Sequence, residues 1–295
     1  MIHIVSGVLI LLGIVFLVYE IRDYVLHRDD FVQVPWIKCG VLGFFLNALN
    51  VWGIGSFATL TAGLRLMKQT EDKKIPGTLN VSCVIPVILQ AVVFIRVIQV
   101  DPLTLVVMFI AAGIGSFFGA GIVAKLPEQK IRLAISIALF VAAFLMLAGL
   151  FKWLPGGGEA YKLGGIKLII AAAGNCILGA LMTVGVGLYG PCMALVYFLG
   201  MSSAAAYPIM MGSCAFLLPI AGFKFVKTGA YDRKVSLVLQ AAGSAGILIA
   251  IYVFTSIPLN VLRWIVIGVL LYTSVTLLLT YVKKRKPAKN SVQST

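Results

Sequence analysis

Charge is scarce in this chain, and its scarcity excludes most classes of soluble protein. Only 12% of the residues are charged, whereas 61% are apolar and the mean hydropathy is +1.05. A water-soluble domain of 295 residues cannot cover its surface with so few charges. Long uncharged stretches dominate instead, which predicts an all-α polytopic membrane protein.

Carboxylates and histidines are also sparse, and the apolar segments have none near their centres. We expect all ten carboxylates to lie in loops or at helix ends, and His3 and His27 to lie outside the membrane core. Proton-coupled carriers usually hold an intramembrane Asp, Glu or His. The lack of such a relay favours an anion that leaves a negative-inside cell down the electrical gradient; it does not exclude sodium coupling through carbonyls and hydroxyls.

The five cysteines form no CxxC pair and lie mostly inside apolar segments. This distribution predicts neither a disulfide framework nor a zinc site, and we expect no cofactor and no bound metal. The net charge of +14 does not indicate nucleic-acid binding, because the basic residues lie in short loops and in a C-terminal tail. Lipid and a small anionic substrate are the predicted partners, and the oligomeric state is left open.

Nine apolar segments are separated by short polar loops. They cover residues 4–21, 36–66, 78–98, 103–124, 131–153, 163–201, 204–226, 235–254 and 259–282. Most have the roughly 20 residues needed to cross the hydrocarbon core. The first lacks a basic n-region, and Glu20-Ile21-Arg22-Asp23 follows it where a cleavage site would need small residues, so we expect a retained helix.

Two segments, 36–66 and 163–201, are too long for single spans, and each contains a Gly-x-Gly near its middle. Each is either a broken helix that crosses completely or a hairpin of two half-helices that enters and leaves on one side. With the N-terminus outside and two hairpins, 19 of the 24 basic residues lie inside; with complete crossings the best count is 16. The positive-inside rule therefore favours hairpins in a multi-pass protein of the cell membrane, with the C-terminus inside.

The two halves of the chain also resemble each other with an offset of 131–132 residues. The matched positions are Gly53-Ile54-Gly55 with Gly185-Val186-Gly187, Pro76 with Pro208, Ser82-Cys83 with Ser213-Cys214, Asp101 with Asp232 and Gly115 with Gly246. Three crossings in each copy would make the copies inverted, an architecture that places transport sites where the copies meet.

This pattern predicts about seven crossing helices plus two glycine-broken hairpins, arranged as an inverted repeat. An extra N-terminal helix would occupy residues 1–30, repeat one 36–154 and repeat two 163–282. A basic cytoplasmic tail would follow at 283–295, and all parts would form one membrane domain.

The hairpin tips are the predicted binding site. Irregular backbone is tolerated inside a bilayer where it is buried in protein or lines a polar cavity. The half-helices that begin near Ser56 and Leu188 would aim free N–H groups and positive dipole ends at this cavity, as anion sites do. The predicted substrate-binding residues are Asn47, Asn50, Gly53, Gly55, Ser56, Asn80, Ser82, Cys83, Thr183, Gly185, Gly187, Ser213 and Cys214.

A structural interpretation of the same residues competes with this one. Glycines permit close packing of membrane helices, and buried amides can join helices by hydrogen bonds. We favour this interpretation for Gln90 and Gln240. The tip glycines, by contrast, are paired in both halves, which favours a site.

At these residues the chain resembles the sulfite exporter TauE/SafE family of membrane permeases, over residues 36–282. The resemblance rests on the two Gly-x-Gly tips, Pro191, Pro76-Gly77-Thr78-Leu79-Asn80, Asp101-Pro102-Leu103-Thr104-Leu105, and Gly115 through Gly121 leading to Lys125-Leu126-Pro127. It implies outward transport of sulfur-containing anions, such as sulfite or an organosulfonate, and no enzymatic activity.

Two other functions compete with a permease. One is a membrane-embedded sulfur-handling enzyme that uses the Ser-Cys pairs. The other is a non-transporting membrane subunit that docks through loop 65–76 or the basic tail.

Overall fold

Helices make up the part of the chain that the computed structural model describes, namely residues 2–27, 35–153, 158–185 and 187–253 with scattered residues between 264 and 282. That part contains no β-strand. Its elements are α1 (Ile2–Leu26), α2 (Trp36–Ala48), a 3-10 turn (Leu49–Trp52), α3 (Ser56–Leu66), α4 (Ile75–Ser82), α5 (Val84–Val97), α6 (Pro102–Val123), α7 (Glu128–Leu150), α8 (Gly165–Met182), α9 (Tyr189–Phe198), α10 (Ser203–Thr228) and α11 (Arg233–Val253).

Six helices of the described ranges are long and apolar enough to cross a membrane: α1, α6, α7, α8, α10 and α11. The pair α4 and α5 is a seventh candidate, bent by 43°. Pro86 explains this bend, because its ring lacks an N–H and would collide with the Ser82 carbonyl in a continuous helix. The predicted all-α polytopic membrane fold is confirmed. The predicted span 259–282 falls mostly outside the described residues.

The first long segment folds back on itself at its two tip glycines. Gly53 and Gly55 have φ values of 75° and 78°, a conformation that residues with a side chain rarely adopt. The outer ends of α2 and α3 lie together, because the Cys39 thiol donates a hydrogen bond to Gln69 Oε1 at 3.1 Å. This segment is therefore a hairpin.

The second long segment is also a hairpin, with unequal arms. Gly185 has a φ of 114°, after which α9 returns along α8, so that Gly174 packs against Leu195. At the outer end, Lys167 Nζ donates to the Leu199 carbonyl at 3.2 Å. The 18 residues of α8 reach the length of a span, whereas α9 has 10. Both long segments therefore fold back on themselves, and neither runs on in one direction as a single broken helix.

Each hairpin packs its first arm against a helix from the other half of the chain, through glycines. A methyl group on Gly115 of α6 would overlap the Cys176 carbonyl on α8, and one on Gly246 of α11 would overlap the Phe44 carbonyl on α2. Small residues allow membrane helices to approach this closely. The sequence offset relates the two contacts, since Gly115 corresponds to Gly246 and Phe44 to Cys176. The half that contributes the glycine in one contact contributes the carbonyl in the other.

A second pair of contacts follows the same exchange with different chemistry. Gly43 of α2 packs on the backbone of Leu239 in α11. Asn175 of α8, 132 residues after Gly43, instead donates a hydrogen bond to the Met108 carbonyl in α6 at 2.7 Å. The two halves therefore use the same interface with a glycine in one and an amide in the other.

The repeated acidic residues Asp101 and Asp232 are helix caps. Asp101 accepts a hydrogen bond from the Thr104 N–H at 3.0 Å, and Asp232 accepts one from the Val235 N–H at 3.1 Å. The hydrogen bond from the Thr104 N–H is the main reason that the pKa of Asp101 lies below its ordinary value. Their recurrence is thus explained by the start of α6 and of α11.

The connections gather on two faces of the bundle. On one face, residues 98–101, 158–164 and 199–202 touch, since the Asp101 N–H donates to the Tyr161 carbonyl at 3.0 Å and the Ser202 N–H to the Ala160 carbonyl at 2.8 Å. On the other, the N–H of Asp232 donates to the Thr78 hydroxyl at 3.0 Å, which joins α4 to the α10–α11 connection. With two hairpins, the distribution of basic residues predicts that these two sets of connections lie on opposite sides of the membrane.

A buried ion cluster holds the second face together. The Asp72 carboxylate accepts hydrogen bonds from Arg65 at the end of α3 and from Arg132 Nε in α7, the latter at 2.5 Å. Burial would raise the pKa of Asp72, but the two guanidinium groups outweigh it and hold this pKa below its ordinary value. The first hairpin is thereby fastened to α7.

The helix α1 packs on the outside of α5 and α10. Its Phe16 ring fills the space above Gly222 and meets the Phe223 ring edge-on at 5.3 Å between centroids. At its end, Asp23 accepts a hydrogen bond from Arg233 Nε at 2.7 Å. Aromatic packing and one ion pair therefore hold α1 in place.

Glu20 contradicts the expectation that every carboxylate lies in a loop or at a helix end. It lies within α1, six residues before Leu26, and it is 0% exposed. The sequence was misleading because Glu20-Ile21-Arg22-Asp23 has the composition of a loop, whereas the helix continues through it.

The tight glycine contacts predict unequal costs for the same small substitution. Gly115→Ala and Gly246→Ala force two backbones apart, so each is expected to lower the free energy of unfolding by about 1–3 kcal/mol. Gly149→Ala is the control, because a methyl group there meets nothing within 4 Å. Thermal unfolding in detergent measures the difference; equal midpoints for all three variants would contradict the packing.

The Asp72 cluster predicts a loss of stability in acid. Because its pKa is lowered in the folded state, the stabilisation is present above the ordinary carboxyl pKa near 3.8 and is lost as the pH falls through the folded value. Asp72→Asn is expected to lower stability by about 1.5–3 kcal/mol at neutral pH and to flatten the acid decline. Exposed Glu71, changed to Gln, is the control; an unaltered decline in Asp72→Asn would refute the assignment.

Candidate functional site

The two hairpin tips meet inside the bundle. A methyl group built on Gly55 would lie 3.8 Å from Cβ of Tyr189, and one built on Gly187 would lie 3.9 Å from Cβ of Phe57. Gly187 and Tyr189 follow Gly55 and Phe57 by 132 residues, so the two contacts exchange the halves, as in a two-fold interface. The first turns of α3 and α9 therefore face each other.

A small cavity, with room for about one water molecule, lies at this meeting point. Its lining comes from both tips and from three neighbouring helices: Asn50, Gly55, Ser56, Phe57, Val87, Met182, Gly187, Leu188, Tyr189 and Cys214. None of these residues carries a formal charge. A ligand here would contact the Asn50 amide, the Ser56 hydroxyl and apolar side chains.

Asn50 caps α3 across the glycine break. Its Oδ1 accepts a hydrogen bond from the Ser56 N–H, and its Nδ2 donates to the Ser56 hydroxyl at 2.8 Å. One of the otherwise unpaired N–H groups at the start of α3 is therefore satisfied by a side chain. The Asn50 side chain both shapes the first tip and faces the cavity.

Gln90 of α5 connects the two tips. Its Nε2 donates to the Asn50 carbonyl at 2.8 Å, and its Oε1 accepts a hydrogen bond from the Tyr189 hydroxyl at 3.5 Å. Irregular backbone at this depth needs such partners, because lipid provides none. The interpretation of Gln90 as an interhelical hydrogen-bonding residue agrees with these contacts.

The second tip presents the start of α9. Leu188 and Tyr189 line the cavity, and the first backbone hydrogen bond of the helix runs from the Cys192 N–H to the Leu188 carbonyl at 2.9 Å. N–H groups before this point have no intrahelical acceptor, and Pro191 has no N–H to offer. The positive end of the α9 dipole therefore lies at the cavity, opposite that of α3.

Cys83 and Cys214 lie on opposite sides of the site. Cys214 lines the cavity and contacts the Met182 sulfur at 3.6 Å. Cys83 lies behind Ser56, with its sulfur 3.7 Å from the Ser56 hydroxyl and 3.8 Å from Asn47 Oδ1. These partners are all neutral, and a catalytic thiolate would need a base or a positive charge. Within the described residues, no three His, Cys, Asp or Glu side chains are grouped as metal ligands would be.

Five of the predicted site residues line the cavity: Asn50, Gly55, Ser56, Gly187 and Cys214. Cys83 and Asn47 form the layer behind them. The others lie near the tips without lining the cavity: Gly53, Asn80, Ser82, Thr183, Gly185 and Ser213.

The residues away from the cavity mostly form hydrogen bonds to nearby backbone carbonyls or to side chains on neighbouring helices. Asn80 Nδ2 donates to the Pro76 carbonyl at 2.8 Å, and the Thr183 hydroxyl donates to the Ala180 carbonyl at 2.7 Å. The Ser213 hydroxyl accepts a hydrogen bond from Asn175 at 2.9 Å. Their geometry fits the structural interpretation better than ligand contact.

Sequence reasoning missed the apolar part of the lining, which is Phe57, Val87, Met182, Leu188 and Tyr189. The offset carried a signal for two of them, since Phe57 and Tyr189 are aromatic residues at matching places beside the tip glycines. Val87 and Met182 look like ordinary core residues in the sequence.

The Asn50 cap predicts a specific weakness at the first tip. Asn50→Ala removes both hydrogen bonds to Ser56 and is expected to lower the free energy of unfolding by about 1–3 kcal/mol. Ser82→Ala is a control, because its hydroxyl makes only long contacts, 3.5 Å to the Leu79 carbonyl and 4.0 Å to Cys83 Sγ. Denaturant unfolding in detergent compares them, and an Asn50→Ala loss no larger than that of Ser82→Ala would contradict the cap.

Comparison with known proteins identifies the family. The family model described as sulfite exporter TauE/SafE matches residues 36–277, a range that contains both hairpins and every residue lining the cavity. No curated protein matches the chain. Since the match spans most of the sequence, the chain belongs to the sulfite exporter TauE/SafE family.

Proposed function

We propose that this protein is a permease that moves a small sulfur-containing oxyanion, sulfite or an organosulfonate, outward through the cell membrane. The family consists of permeases for such anions. The single observation that carries the proposal for this chain is the convergence of two helix N-termini on one uncharged cavity.

The anion's oxygens would bind to backbone N–H groups at the starts of α3 and α9, with the Ser56 hydroxyl and the Asn50 amide beside them. A helix N-terminus stabilises an anion by about 0.3–1 kcal/mol at exposed sites and up to about 2 kcal/mol in partly buried ones. Two such ends without a formal positive charge would bind the anion moderately. Moderate binding suits a carrier, because its substrate has to leave again.

Alternating access follows from the way the hairpins are attached. We propose that the first hairpin moves with α11 and the second with α6, because their glycine contacts are too close to slide. Rocking these two bodies against each other would open the cavity first to one side and then to the other. Transporters built from inverted repeats use this kind of motion.

The matching glycine contacts between the two halves also support the proposed internal organisation. We propose that residues 36–154 and 163–282 are inverted repeats, with an extra helix at 1–30 and a cytoplasmic tail at 283–295. The N-terminus would lie outside and the Asp72 face inside, as the basic loops require. A negative interior would then drive an anion outward with about 2.3 kcal/mol per charge per 100 mV.

Flux of labelled sulfite or organosulfonate in proteoliposomes tests the transport proposal. Efflux is expected to rise when the inside is made negative. Asn50→Asp keeps acceptors for the Ser56 N–H and hydroxyl but adds a negative charge beside the substrate, so flux is expected to fall about tenfold or more, since like charges a few ångströms apart repel strongly. Glu159→Gln, an acid-to-amide exchange at an exposed position, is expected to retain wild-type flux.

Two results would overturn the proposal. Flux that ignores the imposed potential, or no flux with any oxyanion tried, contradicts an anion permease. Replacing both Cys83 and Cys214 by Ala distinguishes a permease from an enzyme. The double variant would lose all activity if a thiol mechanism operated, whereas transport would only be weakened. A stable partner that co-purifies in the absence of flux would favour a membrane subunit.

A further inference from the structure

Glu20 is a fully buried carboxyl group that the transport site does not use. It lies on α1, outside the range matched by the family model, and does not line the cavity. Its contact is Gln240 of α11, which is also buried and whose Nε2 donates to Glu20 Oε2 at 2.7 Å.

If Glu20 is ionised, this pair has more hydrogen-bond acceptors than donors. Within the described residues, Glu20 Oε1 and Gln240 Oε1 are both buried acceptor atoms without a hydrogen-bond partner. An ionised carboxylate enclosed in protein with one oxygen unpaired costs several kcal/mol, and such a group usually binds a proton instead. The pair therefore lacks a hydrogen-bond donor.

We propose that Glu20 binds a proton and forms a cyclic acid–amide pair with Gln240, which docks α1 on α11. The proton on Glu20 Oε1 is donated to Gln240 Oε1, while the amide N–H continues to donate to Glu20 Oε2. One proton thereby satisfies both unpaired oxygens. This site is independent of the transported anion and goes beyond the proposed function.

The charges around Glu20 favour the neutral acid. Asp23, one turn further along α1, is negative, and its charge is engaged by Arg233 of α11. The Tyr231 hydroxyl in the α10–α11 connection donates to Asp23 Oδ2 at 2.7 Å and is neutral. No cation is hydrogen-bonded to Glu20 itself in the described part of the chain.

In the described parts of the other elements packed against α1, we find no counter-charge for Glu20 either. Lys224 of α10 directs its ammonium group at the Phe117 ring and carbonyl of α6. Lys227 lies exposed near the end of α10, and Arg96 is exposed in the last turn of α5, close to the opposite face.

The pair is connected to the first hairpin through α11. Gly243, one turn after Gln240, lies against the Asn47 side chain of α2, and Asn47 in turn contacts Cys83 behind the cavity. Ionisation of Glu20 would set a carboxylate oxygen against the Gln240 carbonyl oxygen. α1 would then loosen from the helix that carries the first hairpin as the pH rises.

Infrared spectroscopy of the full chain in detergent tests the proposal without any substrate. The carbonyl stretch of a protonated carboxylic acid is expected at neutral pH, shifted by ¹³C-glutamate labelling, missing in Glu20→Gln and retained in Glu159→Gln. It should disappear as the pH is raised. Gln240→Leu should move the band to higher frequency, since the acid then loses its amide partner.

The outcomes are decisive in both directions. No labelled acid band in the wild type means that Glu20 is ionised and refutes the proton site. A band that Gln240→Leu does not shift refutes the acid–amide pair. Thermal unfolding gives an independent readout: the wild type should lose stability as the pH rises, whereas Glu20→Gln, which retains an amide for pairing, should not, and parallel pH profiles would refute the docking role.

Discussion

Backbone polar groups at the two hairpin tips have no helical partners, and the need to satisfy them inside a bilayer governs the rest of this structure. Hydrocarbon offers no hydrogen bonds, so each tip must be enclosed by protein. Asn50 and Gln90 bond to the first tip, and the second tip closes against it. The same enclosure leaves a cavity between two helix N-termini, an arrangement in which helix dipoles favour negative charge.

Close packing of glycines determines how this arrangement is held together. The first arm of each hairpin lies on a helix of the other half, through Gly115 in one case and Gly246 in the other. These interfaces leave no room for sliding, whereas the tips touch through side chains at ordinary van der Waals distance. The contacts between the halves are therefore looser at the cavity than at the glycine interfaces.

Buried polar groups in this protein are satisfied by hydrogen bonds and not by unpaired charges. The cavity is lined by the Asn50 amide, the Ser56 hydroxyl, two helix ends and apolar side chains, and the carboxyl group of Glu20 pairs with the amide of Gln240 on α11. Full charges appear on the loop faces, where Asp72 pairs with two guanidinium groups and Asp23 with one. Low dielectric makes an unpaired charge far costlier than a hydrogen-bonded dipole, which explains this separation.

The sequence by itself determined the membrane class and the places where the chain folds back, because these follow from local composition and glycine placement; the sorting of loops by charge stays a prediction. Asn50 and Ser56 were found because polar residues beside paired glycines are hard to justify in lipid. Only the tertiary structure decided that Tyr189 and Val87 complete the cavity, that Asn80 and Ser213 bond elsewhere, and that Glu20 is buried. Those outcomes depend on which helix faces meet, and the contacts join residues up to 220 positions apart in the chain.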